Sequence, residues 1–447
     1  MSDRIETELG LLPPTWTVKK IDEIKENKKG SIAMGPFGSD IKTDNFVSDG
    51  VPIIRGNNLN DFIFGDREFV YLTEEKADSL KNSICYPGDI IFTHRGTIGQ
   101  VGIIPKYSNY KRYVVSQSGM KLTINKEIVS PEFIHLFFKS RVGQYILLRN
   151  KSQVGVPAIG QPTTSLKEMI VPIPPKTESD EIAKTILSIQ NKITLLRHQN
   201  HDLEELAQTL FKRWFVEFEF PFDFAQGKPN ENGEPYKSSG GKMVESELGE
   251  IPEGWKVGVI KDFGKIVCGK TPSKQNADFY GNDVPFLKIP DMHGAIFPLN
   301  TVDNLSNEGS KSQKNKLIPA KSLVVSCIAT VGLVCINPYD CHTNQQINSI
   351  VLEKEQSRYY LFHCLKGMMS VLENIGSGGS ATLNVNTSVF SNIEILVPSS
   401  DALKQHYNIV NPIFERILTN QEEIQTLTQL RDTLLPKLMS GEIKVNE

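Results

Sequence analysis

The stretch "ELGEIPEGW", Glu247–Trp255, restates "ELGLLPPTW", Glu8–Trp16, more than half a chain length downstream. Repetition on this scale decides the architecture before any local reading does. The opening block pairs Thr7 with Ser246, Gly10 with Gly249, Pro13 with Pro252, Trp16 with Trp255, Val18 with Val257 and Ile21 with Ile260. A middle block, at a slightly shorter constant spacing, pairs Phe46 with Phe279, Pro52 with Pro285, Arg55 with Lys288, Ile90 with Leu323, Gly99 with Gly332 and Val101 with Val334. A last block pairs Ile159 with Leu383, Thr163 with Thr387, Val171 with Ile395 and Pro174 with Pro398, then continues without a gap through a long helical pattern. The drift between blocks places small insertions in loops, where a duplicated domain tolerates them. Three co-linear blocks make chance untenable: the chain is a domain and a long helix, stated twice.

The helices are legible from spacing. Ile182, Ile186, Ile189, Ile193, Leu196, Asn200, Leu203, Ala207, Leu210 and Trp214 alternate steps of four and three, and so do His406, Val410, Ile413, Ile417, Asn420, Ile424, Leu427, Arg431, Leu434 and Leu438. That is a heptad seam, narrow enough for one partner helix. Asn200 and Asn420 sit where polar residues fix register at a cost in stability. Pro174, Pro175 and Pro398 stand just before the helices. Leu206, Phe211, Leu430 and Leu435 widen the stripe at the C-terminal ends. The duplicated layout predicts antiparallel pairing within the chain, with the domains related by a pseudo-twofold axis. A helix of roughly 37 residues spans about 55 Å, enough to set the distance between sites about one DNA turn, or ~34 Å, apart.

The expected organisation is residues 1–175 as the first domain, 176–221 as the first long helix and 222–243 as a Gly-, Pro-, Asn- and Ser-rich linker. Residues 244–398 form the second domain and 399–447 the second long helix. Within the domains, short β-like runs dominate: "VPIIRG", "GDIIFTH", "QVGIIP" and "KLTIN", then "VPFLKI", "SLVVSC", "VGLVCI" and "NSIVLE". A helix starts near Pro131, with a counterpart near Arg358–Asn374. The fold class is therefore α+β, a repeated mixed α/β domain.

The net charge of −3 over 447 residues is not that of a bulk nucleic-acid binder, but residues 1–175 carry about +3. Lysine clusters at Lys19–Lys29 and Lys311–Lys316 read first as solvated faces. No apolar run reaches the ~18–20 residues of a membrane span, and residues 1–20 do not read as a signal peptide. The six cysteines form no C-x-x-C pair, which fits reduced thiols and a cytoplasmic protein. Cys335, Cys341 and His342 lack the tight paired spacing of a zinc site.

Candidate binding residues lie in loops that the repeat brings into correspondence. "GPFGSD" at Gly35–Asp40 and "GKTPSK" at Gly269–Lys274 offer glycines, hydroxyls and lysines suited to a phosphate: Ser39 and the nearby Lys42, and Lys270 and Thr271. Neither fits the P-loop pattern, and an ordinary loop is the alternative. Arg55 and Lys288 match in position and in charge. Arg95, in the glycine turn "HRGTIG", suits phosphate or guanine, and the amides of Gln117, Asn344 and Gln345 suit adenine edges or buried backbone. No catalytic constellation assembles. "NPYD" at Asn337–Asp340 is similar to the N/D-P-P-Y/F loop of adenine methyltransferases but lacks the second proline, and "GSGGS" at Gly376–Ser380 follows a helix rather than a strand.

"ELGLLPPTW", "ELGEIPEGW", "LEELAQTLFKRWFVEFEFP" (203–221) and "LRDTLLPKLMSGEI" (430–443) together resemble the specificity (S) subunit of type I restriction–modification systems, over essentially the whole chain. The resemblance implies two target recognition domains, each reading one half of a split DNA sequence, and two helices forming an intramolecular antiparallel coiled coil. Ile186, Ile189, Ile193, Leu196 and Leu203 would pair with Val410, Ile413, Ile417, Ile424 and Leu427. It implies a non-catalytic subunit acting on double-stranded DNA with two methyltransferase (M) subunits for adenine N6 methylation, and two restriction/translocase (R) subunits for cleavage. S-adenosylmethionine, ATP and Mg would be bound by those partners, and no membrane is involved. A stand-alone sequence-specific DNA-binding regulator is the alternative.

Overall fold

The computed structural model describes residues 4–36, 38, 40–152, 155–377 and 383–445. The chain divides into two compact units, Met1–Thr194 with Gln425–Glu447, and Leu195–Ile424.

The first unit opens with a hairpin, Ile5–Thr7 on Gly10–Leu12, and the second contains its repeat, Met243–Ser246 on Gly249–Pro252. The repeated "ELG" is the hairpin turn. Gly10 and Gly249 have φ of +93° and +92°, a region that favours glycine. The hydroxyls of Thr7 and Ser246 donate to the carbonyls of those glycines at 2.7 and 2.6 Å. The motif then delivers a tryptophan to a helix end in each case. Trp16 is buried with Leu435, Leu438 and Met439 of the second long helix, and its Nε1 donates to Glu178 at 3.1 Å. Trp255 stacks on Phe220, 5.0 Å away, beside Phe215 past the end of the first long helix.

Both domains then build the same four-stranded sheet and a second sheet of five strands in the first and three in the second. In the first, a four-stranded antiparallel sheet runs Val101–Ile103, Ile90–Thr93, Gly119–Leu122, Ile32–Met34. Its repeat runs Val334–Ile336, Leu323–Ser326, Ile347–Leu352, Gly264–Cys268. A second sheet in each has a parallel pair: Val51–Ile54 with Tyr113–Val115, and Tyr280–Leu287 with His342–Thr343. A third contact closes each domain onto its helix, Thr17–Lys20 on Ile170–Ile173 and Lys256–Val259 on Glu394–Val397. The expected helices form as Pro131–Lys139 with Arg141–Leu148, and Arg358–Gly367 with Met369–Gly376. The α+β reading stands.

The long helices span Lys176–Phe211 and Ser400–Met439. None of the twenty seam residues is exposed. In the first unit Arg431 donates to Gln190 across the seam. In the second, Asn420 Nδ2 donates to Asn200 Oδ1 at 2.8 Å, and Asn200 Nδ2 to the Ile417 carbonyl at 3.3 Å. Chain direction reverses across each contact, so within each unit the helices run antiparallel. Pro412 and Pro436 lie inside the second helix on its exposed side, where the carbonyl that a proline leaves unbonded is open to solvent. No helix among the described residues is long and apolar enough to cross a membrane.

The first long helix ends in a π turn, Lys212–Val216, and residues 222–243 are more structured than their composition predicts. They hold a three-stranded sheet, Lys228–Pro229, Pro221–Asp223, Glu234–Pro235. Tyr236 stacks on Phe220 at 4.7 Å, so alternating aromatics in "FVEFEFPFDF" anchor a stretch whose glycines and prolines suggest a tether.

Candidate nucleic-acid interface

A parallel strand pair sends both C-terminal ends the same way. Arg55 and Ser116–Gln117 therefore emerge side by side, with Ser116 N–H donating to the Ile54 carbonyl at 3.0 Å. The loop after Ile32–Met34 joins them, Gly35 N–H donating to the Gly119 carbonyl at 2.9 Å. The turn after Ile90–Thr93 joins through His94 N–H to the Ser118 carbonyl, also at 2.9 Å. The second domain repeats this. Gly269 N–H donates to Ile347 at 3.0 Å, Lys270 N–H to Thr343 at 2.9 Å, and Cys327 N–H to Gln346 at 2.8 Å.

Glycine is required at the first of these loops. A Cβ on Gly35 would lie 1.9 Å from the Ser116 carbonyl oxygen, and one on Gly269 2.1 Å from that of Asn344. The turns also repeat: Gly96 and Ala329 have φ of +81° and +67°, Gly99 and Gly332 +92° and +90°. Ala329 carries left-handed strain that a glycine would not.

The structure thus gathers the predicted residues into one loop cluster per domain. Arg55, Arg95, Lys42 and Gln117 are exposed in the first, Lys270 and Gln345 in the second. Ser39 lies outside the described residues. The Arg55 guanidinium lies over the Phe46 ring at 5.4 Å. Thr271 donates its hydroxyl to Gln345 Oε1 at 2.6 Å, orienting that amide. Asn344 is buried, and its amide donates to Gln346 Oε1 at 2.9 Å while its Oδ1 accepts from Gln346 N–H at 3.1 Å. It shapes the loop. Lys288 is half-buried and ion-paired with Asp303.

Sequence reasoning missed a further element of each cluster. The hairpin Lys151–Ser152 on Ala158–Ile159 bridges Arg95 through Ala158, and Ile328 is bridged likewise by Asn384. No motif marks these segments; only the last repeat block, beginning at Ile159 and Leu383, runs into them.

Other readings are absorbed by structure. Asn337 of "NPYD" is buried, bonded to Ser322 N–H and to the Pro319 and Tyr339 carbonyls. Burial pushes the Cys335 and Cys341 thiols up to about 12, and His342 Nε2 faces Ser310 at 2.9 Å. All six cysteines are free. Arg112 is spent internally, pairing with Glu74 and Asp78.

Two corresponding clusters of amides, hydroxyls and cations thus stand on duplicated sheets. The family model described as "Type I restriction modification DNA specificity domain" matches residues 13–205 and 252–429. The chain belongs to that family. It is 41% identical over 375 residues to the type I restriction enzyme HindI specificity subunit of Haemophilus influenzae, covering 74% of this chain and 81% of that one. It is 27% identical over 448 residues to the MjaIX specificity subunit of Methanocaldococcus jannaschii, covering 99% and 96%. Its fold is similar to the solved type I restriction–modification S subunit from M. genitalium, with a TM-score of 0.63 at 14% identity over 95% and 96% of the two chains.

Proposed function

We propose that each loop cluster reads one half of a bipartite DNA target, with residues 1–175 and 244–398 as the two target recognition domains. Cations position the chain on phosphate, and exposed amides such as Gln117 and Gln345 read base edges in the major groove. The long helices set the gap between half-sites and dock two methyltransferase subunits. Those partners flip and methylate an adenine with S-adenosylmethionine, and restriction subunits with ATP and Mg join for cleavage in the cytoplasm. This chain supplies recognition and no reacting group. Its net charge of −3 fits phosphate clamping shared with partners.

One observation carries the reading: the same cluster is built twice on the same sheet order, yet its exposed side chains differ between copies. A symmetric regulator has no use for two unlike heads. The test is a map of modified adenines in a host lacking adenine methylation, expressing the neighbouring methyltransferase with and without this chain. A split motif that needs both proteins supports the proposal. Unsplit or unchanged methylation with both proteins soluble overturns it and favours the stand-alone regulator.

A further inference from the structure

The two clusters are built alike but differ in what stands across from the cation at the tip of the parallel pair. In the first domain the strand leading to Arg55 pairs with Val70–Leu72, Pro52 opposite Tyr71 and Ile53 opposite Val70. In the second, the strand leading to Lys288 pairs with Asp303–Leu305, Pro285 opposite Asn304 and Phe286 opposite Asp303. Pro52 and Pro285 are repeat mates, as are Arg55 and Lys288, so Val70 and Asp303 occupy the same place.

That one difference changes the chemistry of the tip. Asp303 ion-pairs with Lys288, whose ammonium also lies over the Phe286 ring at 5.2 Å. Val70 gives Arg55 nothing to pair with, and among the described residues Arg55 has no carboxylate partner. The neighbouring turn differs in the same sense, since Arg95 has Ile328 as its mate. A Lys–Asp pair is net neutral, and its carboxylate repels phosphate. An unpaired guanidinium is drawn to phosphate or to a guanine edge.

We propose that Val70 and Asp303 set the role of the cation beside them: Arg55 is a DNA contact, whereas Lys288 is a strut of its own domain that adds no net charge to its reading head. The second head draws its charge from the exposed Lys270 and Lys274 instead. This rests on the two-head reading above and assigns its cations unequally.

The test is the salt dependence of binding by the complex of full chain and methyltransferase, on a duplex bearing the mapped target. Each phosphate neutralised contributes about 0.9 to the slope of log K against log salt. Arg55→Gln flattens the slope by about 0.9 and Val70→Asp does the same, while Arg55→Lys retains it. Asp303→Asn frees the lysine and steepens the slope by about 0.9. The double variant Lys288→Gln/Asp303→Asn, which deletes the pair without changing net charge, keeps the wild-type slope. The proposal is overturned if that double variant flattens the slope as Arg55→Gln does, or if Arg55→Gln leaves it unchanged. Absence of specific binding by the wild-type complex overturns the two-head reading itself, and this inference with it. Melting curves of each variant separate a lost contact from a lost fold.

Discussion

Replacing Asn420 by alanine removes a hydrogen bond made by a fully buried side chain. Asn420 is fully buried in the seam; it donates to Asn200 Oδ1 at 2.8 Å, and its own Oδ1 has no partner among the described residues. Asn420→Ala therefore loses one bond and strands the Asn200 carbonyl, a cost of about 1–3 kcal/mol. Replacing both asparagines by leucine behaves differently. The two bonds lost are worth about 1 kcal/mol each, while each seam leucine buries apolar surface worth about 1.5–3 kcal/mol. Asn200→Leu/Asn420→Leu is expected to be more stable than wild type by about 1–4 kcal/mol. Trp214 and Trp255 both lie in the second unit and Trp16 in the first. In a Trp16→Phe background, tryptophan fluorescence during urea unfolding therefore follows the second unit alone. A double variant no more stable than Asn420→Ala would refute the reasoning that these amides hold register at the expense of stability.

The other expectations are simpler. His135, His363 and His406 are buried, each with at least one ring nitrogen unpaired among the described residues, and burial holds each pKa down at about 3. Above the unfolded value of ~6.5 neither state binds these protons; below it only the unfolded chain does, so stability falls by about 1.4 kcal/mol per pH unit per histidine until pH nears 3. Urea midpoints at pH 7.5 and 5 should differ accordingly, with about 2 kcal/mol lost per histidine, and His406→Leu should shrink the difference. Ala329→Gly relieves a φ of +67° and should raise the melting stability by about 1 kcal/mol. Gly35→Ala or Gly269→Ala drives a methyl into a backbone carbonyl, so the loop must shift; each should cut DNA affinity of the complex at least tenfold and lower the melting temperature as well. Trp255→Ala empties an aromatic core and should cost about 3–5 kcal/mol in the second unit.

How much of this was legible without coordinates follows from the range of the interactions. The heptad seam is local in period, so every seam residue named from spacing is at least partly buried. The repeated opening was readable as a boundary, but its chemistry was not: only the hairpin shows why Gly10 and Gly249 recur. Arg55, Arg95 and Gln117 stand 22 to 62 positions apart, and no periodicity reports that a parallel strand pair brings their loops together. The Lys288–Asp303 pair was hidden for the same reason, since a cross-strand neighbour is invisible until register is known. Asn344 shows the opposite failure, where an amide suited to base reading is consumed by its own turn. The 222–243 segment misleads by composition, because its glycines and prolines outvote aromatics that fold it.

The central claim is that the heads read independently, one half-site each. It is tested most directly by mapping adenine methylation for the full chain with its methyltransferase in three forms: wild type, Gln117→Ala and Gln345→Ala. The account predicts that Gln117→Ala relaxes sequence preference in one half of the split motif, Gln345→Ala in the other, and that the gap is unchanged. Relaxation of both halves by either variant, or of the same half by both, would contradict it.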